Sequence, residues 1–557
     1  MRKQNILFVL FLSLAFSFTM AQDDKDTYNE NVTINVAFDP MINDANKIDE
    51  NISVFDTSFS QVDLTFDRIK KGYKTMLTFD TIKAASVKGE PQAELYRINL
   101  KGGLGLAFGK DLKLAFTPLL QGSYTSLKDR SLLYGVDIYS FSGLSGEKNY
   151  GHNGYSQEDL NLYAKKIFKH YAVSSRAFYN YSRNYYYGST LYPEKNISKG
   201  DYRISWHNVG ADLSYSTLER DNSFQHNGRI NFQYTGNNQG GGEFYLHTAL
   251  DGYKDLDLFN GASNQKLGLS FDYKHSFSKT NKALFDLAPY FIFDWDKFRF
   301  FASLGLEPGI KARKGFQLLP TATVSFELIN QLLSLYGGLK SETEMPLLNS
   351  LRTENPFIQA SPVLEDNTKN TFFAKGFLNI TQKAQLTLEV GYQKLKNQYF
   401  FTNTEFTKKN IYNVHRLVYD DAGRYYITSE NYFSVGNNFY FNIIATLQRT
   451  NRNNSEFEAW YNPAFRLQTK INYTYGNKLH ITLSPSFNSK SYAYAENLKK
   501  EVEVKAMFDL SLSATYQYNE RWSFFADLNN LTFNQYYLYY NYPTHTFNFL
   551  LGCIYKI

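Results

Sequence analysis

The chain reads as an all-β protein, a transmembrane antiparallel β-barrel of about 22 strands, with a range of roughly 16 to 24. Three observations predict it. From Val502 to Tyr518 every even position is apolar, including Phe508, Leu510, Leu512, Ala514 and Tyr516, while the odd face carries Glu501, Glu503, Lys505, Asp509, Ser511, Ser513, Thr515 and Gln517. The last segment places Phe547, Phe549, Leu551, Cys553, Tyr555 and Ile557 on one face. The chain also holds 45 Tyr and 47 Phe, yet its mean hydropathy is -0.43. Successive strand side chains point to opposite faces, so strict alternation means that one face meets an apolar medium and the other meets water. Barrels in lipid combine such alternation with aromatic rings at both interfaces.

The N-terminus carries Arg2 and Lys3, an apolar core from Ile6 to Phe18, and Thr19-Met20-Ala21 before the polar Gln22. Residues 1–21 therefore read as a cleaved export signal, because the apolar run is short for a membrane span. No later stretch reaches the roughly 18 consecutive apolar residues of a membrane helix. The only cysteine, Cys553, lies far from the cleavage site, which excludes lipid attachment there, and a single cysteine makes no internal disulfide. The formal net charge is +6, of which the signal supplies two positive charges. So even a balance gives no argument for nucleic acid.

Residues 22–94 differ in composition from the rest of the chain. Between Asp23 and Asp67 there are eleven acidic residues against two lysines, Lys25 and Lys47, and no arginine. Such a segment is expected to be exposed and partly extended in the periplasm. Within it Val32, Ile34 and Val36 alternate with Thr33 and Asn35 until Pro40 ends the run.

Residues 95–557 read as the barrel. Clear apolar faces are Leu386, Leu388, Val390 and Tyr392; Phe439, Phe441, Ile443, Ala445 and Leu447; and Leu479, Ile481, Leu483 and Phe487. Their alternates, among them Glu389, Gln393, Asn442, Gln448, His480, Ser484 and Asn488, are expected to line a wet interior. Tight turns are expected at Gly436-Asn437, Gly476-Asn477 and Asn519-Glu520. Long connections fall at 143–157, 183–199, 345–366 and 533–545, and 411–434 is compatible with a hairpin at Asp421-Ala422-Gly423. The last strands set an orientation: Val502–Tyr518 runs inward, Arg521–Asn530 outward, and Phe547 returns, which leaves the carboxyl terminus periplasmic.

Phe525-Ala-Asp-Leu-Asn-Asn-Leu-Thr532, the Tyr-rich loop with Tyr542-Pro543, and the closing strand from Phe547 come one after another as they do near the C-terminus of TonB-dependent receptors. The chain resembles that superfamily, and the resemblance implies an outer-membrane barrel that takes up a solute. It departs from the family in two respects. The segment before the barrel is short for the globular plug that fills barrels of about 22 strands, so a plugless relative is expected. The chain also ends in Ile557 where such barrels usually end in an aromatic residue. Val32, Thr33, Ile34, Asn35 and Val36 look like a TonB box, a β-prone segment that adds to a periplasmic partner's sheet edge. The other open reading of this run is that it pairs with the protein's own barrel or lies in the lumen.

Candidate ligand-contacting residues are Tyr185, Tyr186, Tyr187 and Tyr192 in one loop region and Tyr539 and Tyr540 in another, with Tyr179, Tyr181, Tyr536, Tyr537 and Tyr542 beside them. Rings bearing hydroxyls stack on a ligand and hydrogen-bond to it; the plainer reading is an aromatic girdle at the membrane interface. No HExxH pattern or His/Cys cluster points to a metal, and no cofactor is expected. Gly103 to Asp111 lacks the spacing of a phosphate loop and fits a strand and turn better. His480 and Ser484 share an inward face, but no nucleophile motif accompanies them, so no enzyme is expected. Two functions remain: passage or uptake of a solute across the outer membrane, and a structural or assembly subunit that recruits a periplasmic partner through the N-terminal segment. Outer-membrane lipid is a partner in both.

Overall fold

The structure is a computed structural model and describes residues 96–557, except 110–113, 127–130, 145–151, 188–199, 201, 219–223, 310–314, 405–413, 454–456 and the single residues 382, 437, 477 and 497. The export signal, the acidic segment and Val32–Val36 lie outside the described residues.

Strands β1 (Ile98–Phe108) to β19 (Leu479–Asn488) each pair antiparallel with the next. The order continues through β22 (Met507–Gln517), β23 (Trp522–Asn529) and β26 (Phe547–Lys556). β26 then pairs with β1, from Asn99 opposite Lys556 to Phe108 opposite Phe547. The result is a closed 22-strand antiparallel barrel. Closure removes both sheet edges, which is what an apolar medium without hydrogen-bonding partners requires.

The outward face is continuous across the closing seam. Leu551 of β26 lies opposite Leu104 of β1 on one side and Ala526 of β23 on the other, and Leu104 and Leu551 are 60% and 51% exposed. Cys553 shares that face with Phe549 and Tyr555, so its thiol is a small apolar group turned to lipid. Inward, the ring of Phe525 lies over two glycines of the neighbouring strands: a Cβ on Gly103 or Gly552 would meet it at 2.8 Å or 2.5 Å. The Lys101 ammonium lies 4.3 Å from the centre of the same ring. Inward hydrogen bonds join polar side chains of adjacent strands, as from Asn180 to Asp159 and from Asn208 to Asn180.

Gly436 and Gly476 adopt φ of 62° and 56° in the short connections that begin there, a region that favours glycine. The long connections lie at the opposite end, with β1 beginning and β26 ending at the short-turn end. Short turns mark the periplasmic side and long loops the outside of an outer-membrane barrel. β15 (Ala384–Asn403) and β16 (His415–Val435) have 20 and 21 residues, far more than the about 9 to 11 that cross a membrane. They project at the outer end.

Three sequence readings need correction. The run from Val502 to Tyr518 is not one strand: Val502 and Val504 belong to β21 (Lys500–Val504), which pairs with β20 (Ser491–Ala495) as a hairpin inserted above β19 and β22. Alternation continues through both pieces, but the pairing partner changes after Val504. No hairpin forms at Asp421-Ala422-Gly423, because β16 runs through these residues, with Ala422 and Gly423 opposite Leu395 and Lys394. One short helix, α1 (Leu348–Glu354), lies in a connection without helical periodicity in the sequence.

The two faces predict opposite tolerance to charge. Leu512→Arg, outward at mid-strand, should destabilise the barrel by about 2–4 kcal/mol, while Ser484→Arg, on the inward face of the neighbouring β19, should cost much less. Equilibrium unfolding from lipid bilayers measures both.

Candidate functional site

The outer connections do not stand away from the barrel. They fold inward and meet across its mouth. The connection between β13 (Leu333–Glu344) and β14 (Asn367–Thr381) carries α1 and lies against the inner wall. Its anchors come from three strands of one sector of the wall: Arg352 Nη1 donates to Ser182 Oγ at 2.7 Å, Asn237 Nδ2 to the Ala360 carbonyl at 2.6 Å, and Lys282 Nζ lies 3.3 Å from the Asp366 carboxylate. α1 has no side-chain cap of its own. Glu243, on β8 (Gly242–Asp255), supplies one: its carboxylate accepts the Leu348 N–H at 2.7 Å and the Ser276 hydroxyl at 2.5 Å. A helix start carries amide hydrogens without intrahelical partners, and a buried carboxylate satisfies one of them.

The connection between β23 and β26 comes in from the other side, with the small pairing of β24 (Tyr537–Tyr539) and β25 (Tyr542–Pro543) at its tip. Phe357 and Tyr542 stack with ring centres 3.5 Å apart, and the Tyr187 ring meets Tyr542 edge-on at 5.0 Å. Tyr187 Oη also donates to the Pro543 carbonyl at 3.1 Å. Tyr539 packs between His415 and Tyr461, at 5.2 Å and 5.3 Å, and its hydroxyl donates to the Glu354 carbonyl at the end of α1. The β20–β21 hairpin reaches across to β15, where Ala495 lies beside Asn403. Asn403 Oδ1 accepts from Tyr461 Oη at 2.6 Å, and Tyr494 stacks on Trp460 at 5.1 Å. Arg452 lies 4.3 Å from the Trp460 ring and pairs with Asp420 at 3.0 Å, both side chains almost wholly buried.

Beneath these rings lies a cluster with Trp206, Ile204, Leu348, Leu351, Ile358 and Phe401. Apolar rings from several connections thus share one core, which is what holds separate loops in one arrangement. Trp206 in this cluster and Asn355 and His415 near it in sequence or ring contact are wholly buried and leave a polar atom unpaired among the described residues: Trp206 Nε1, Asn355 Nδ2 and His415 Nδ1. Leaving such atoms unpaired is costly.

Most of the tyrosines singled out from the sequence lie in or beside this cap. Tyr186 and Tyr187 join it, Tyr186 through its hydroxyl on the Ile358 carbonyl at 2.8 Å. Tyr539 is central, and Tyr540 contributes backbone contacts, its N–H to Tyr461 Oη at 3.3 Å. Tyr185 is buried at the edge of the same cluster, against His152 at 4.4 Å and Tyr202 at 5.8 Å. Tyr192 lies outside the described residues. Burial of Tyr185, Tyr186 and Tyr542 places them away from an interfacial girdle. Sequence reasoning missed Phe357, His415 and Trp206; the one signal was apolar residues such as Leu348, Leu351, Phe357 and Ile358 inside a connection, where solvated loops rarely place them.

No family model and no curated protein sequence matches the chain. Solved structures do match. A mutant ferric enterobactin receptor from Pseudomonas aeruginosa, in complex with enterobactin, aligns over 84% of this chain and 82% of its own at 11% identity and a TM-score of 0.61. The siderophore receptor PirA from Acinetobacter baumannii gives 84% and 81% coverage, 9% identity and a TM-score of 0.64. The ferric-catecholate import receptor Fiu from E. coli K12 gives 84% and 82%, 8% and 0.61. The chain has the barrel fold of the siderophore receptors. This receptor-fold barrel, with its apolar outward band, is an outer-membrane protein.

The cap should respond to alkali. Burial holds the hydroxyls of Tyr186 and Tyr542 above the usual tyrosine range. Both rings are neutral in folded and unfolded chain below about pH 10, where their contribution is full. Above it the unfolded rings ionise while the folded ones do not, so stability falls as pH rises. Limited proteolysis within 345–366 should accelerate above about pH 10, and less so in Tyr186→Phe/Tyr542→Phe.

Proposed function

We propose that the barrel takes up a solute across the outer membrane and that the aromatic cap at its outer mouth is both gate and first binding surface. The observation that carries this is the meeting of Phe357, Tyr187, Tyr539 and Tyr542, from three connections, over an inward face lined by polar side chains. Likeness to receptor structures, one of them in complex with enterobactin, supports the same reading at the level of fold. The rings and the unpaired atoms of Trp206, Asn355 and His415 suit a ligand with flat faces and hydrogen-bonding groups. The ligand would enter by displacing rings that now satisfy one another. The loops turn their rings inward, and so favour a gate over an outward docking surface.

Coupling to the periplasm would run through residues 22–94. In this reading Val32–Val36 adds as a strand to the sheet edge of a periplasmic partner, and main-chain hydrogen bonds supply most of the contact. A conformational change at the outer mouth then needs a signal that crosses the barrel.

Planar-bilayer recording tests the gate. Purified chain and the Phe357→Ala/Tyr542→Ala variant are compared, each with and without residues 22–94. The cap variant should conduct more than its parent in at least the shortened form; equal conductance in both forms would show that the cap does not gate. A pull-down from periplasmic extract with residues 32–36 deleted tests coupling, and undiminished partner capture would remove the role given to that segment.

A further inference from the structure

Several outward positions at the outer end of the barrel are paired phenylalanines. Phe244 and Phe277 pair with ring centres 5.9 Å apart, Phe465 and Phe487 at 6.0 Å, and Phe108 and Phe547 at 6.1 Å. One sector differs. On β15, β16 and β17 (Phe439–Arg452) the outward positions above the apolar band are Tyr392, Lys394 and Lys396, then Tyr425, then Arg449.

Register shows that these side chains form one patch. Tyr392 lies opposite Tyr425, and Tyr425 opposite Arg449. One pair below, Val390 lies opposite Ile427, and Ile427 opposite Leu447, which itself faces Phe465 across β18 (Phe465–Tyr475). The cations therefore begin one pair beyond Leu447 and Phe465, at the outer end of the apolar band. Tyr392 and Tyr425 have ring centres 4.7 Å apart, and Tyr425 is 59% exposed. Lys394, Lys396 and Arg449 are all exposed, and none pairs with a carboxylate among the described residues. Arg449 Nε reaches only Asn451, at 3.3 Å. The nearest acids in sequence and register form no ion pair with these cations: Asp421 and Glu365 lie beside Lys396 and accept the Asn397 N–H at 2.8 Å and Asn397 Nδ2 at 3.0 Å, and Asp420 holds Arg452.

Three cations and two hydroxyl-bearing rings, fixed on adjacent strands just beyond hydrocarbon, are matched by a phosphorylated sugar whose acyl chains lie along the barrel. We propose that the outward face of β15–β17 binds the phosphorylated glycolipid of the outer leaflet, with Lys394, Lys396 and Arg449 on its phosphates and Tyr392 and Tyr425 against its sugars. Lipid rather than free phosphate is the occupant because the patch continues into the apolar wall of Leu388, Val390, Ile427 and Leu447. A cation near an anionic headgroup layer adds roughly fivefold to binding, so the three together discriminate strongly. The site would hold one lipid beside the projecting strands β15 and β16, outside the barrel and independent of the gate.

Native mass spectrometry of the full chain in neutral detergent tests this, with diphosphoryl lipid A, the same glycolipid stripped of phosphate, and inorganic phosphate as probes. The parent protein should retain diphosphoryl lipid A about tenfold or more above K394E/K396E/R449E, with the neutralising variant K394Q/K396Q/R449Q between them. K254E, an outward reversal at the periplasmic end, should match the parent. Heat-modifiable gel mobility confirms that each variant is folded. Equal retention by parent and both triple variants would overturn the site. So would equal retention of the phosphorylated and stripped glycolipids, and displacement of the lipid by inorganic phosphate at equal concentration would overturn lipid as the occupant.

Discussion

Every other feature depends on the pairing of β26 with β1. Lipid offers no hydrogen-bonding partner, so a sheet that did not close would leave two unsatisfied edges. The register from Asn99 opposite Lys556 to Phe108 opposite Phe547 fixes which residues face lipid all the way round. It also brings Gly103 and Gly552 together beneath Phe525, a ring that spans the seam and would be displaced by any side chain there. Closing at 22 strands leaves an interior wider than wall side chains can fill. The mouth is then a problem that the connections solve.

Much of the barrel was legible because a two-solvent environment writes itself into every second residue. The outward faces of Leu386–Tyr392, Phe439–Leu447 and Leu479–Phe487 came from alternation alone, and the orientation came from the lengths of the turn and loop that join the last strands. Alternation does not say which strand is the neighbour. Val502 and Val504 keep the period of β22 yet pair with β20, and Asp421-Ala422-Gly423 has turn composition yet lies within β16, held by β15 and β17 on either side. Local turn chemistry lost there to ladder pairing on both edges.

The cap was legible only in part, for a related reason. Tyrosines at 185–187 and 536–542 stood out by density, but their partners Phe357, His415 and Trp206 are single residues in unrelated segments. No periodicity connects them; only the three-dimensional arrangement of loops does. The helix α1 is similarly hidden, since its start is satisfied by Glu243 from a strand more than a hundred residues earlier, not by a cap within its own sequence.

A cap assembled from distant loops has a property that independent loops lack: its parts should open together. Phe357 is the hub, stacked on Tyr542 and meeting Tyr187 and Tyr539 edge-on. Hydrogen–deuterium exchange on the reconstituted barrel carrying Phe357→Ala tests this most directly. If the cap is one cooperative unit, amide exchange accelerates within 345–366 and also at 537–543 and 186–187, which the substitution does not touch in sequence. Acceleration confined to 345–366, with the other two segments unchanged, would contradict the account.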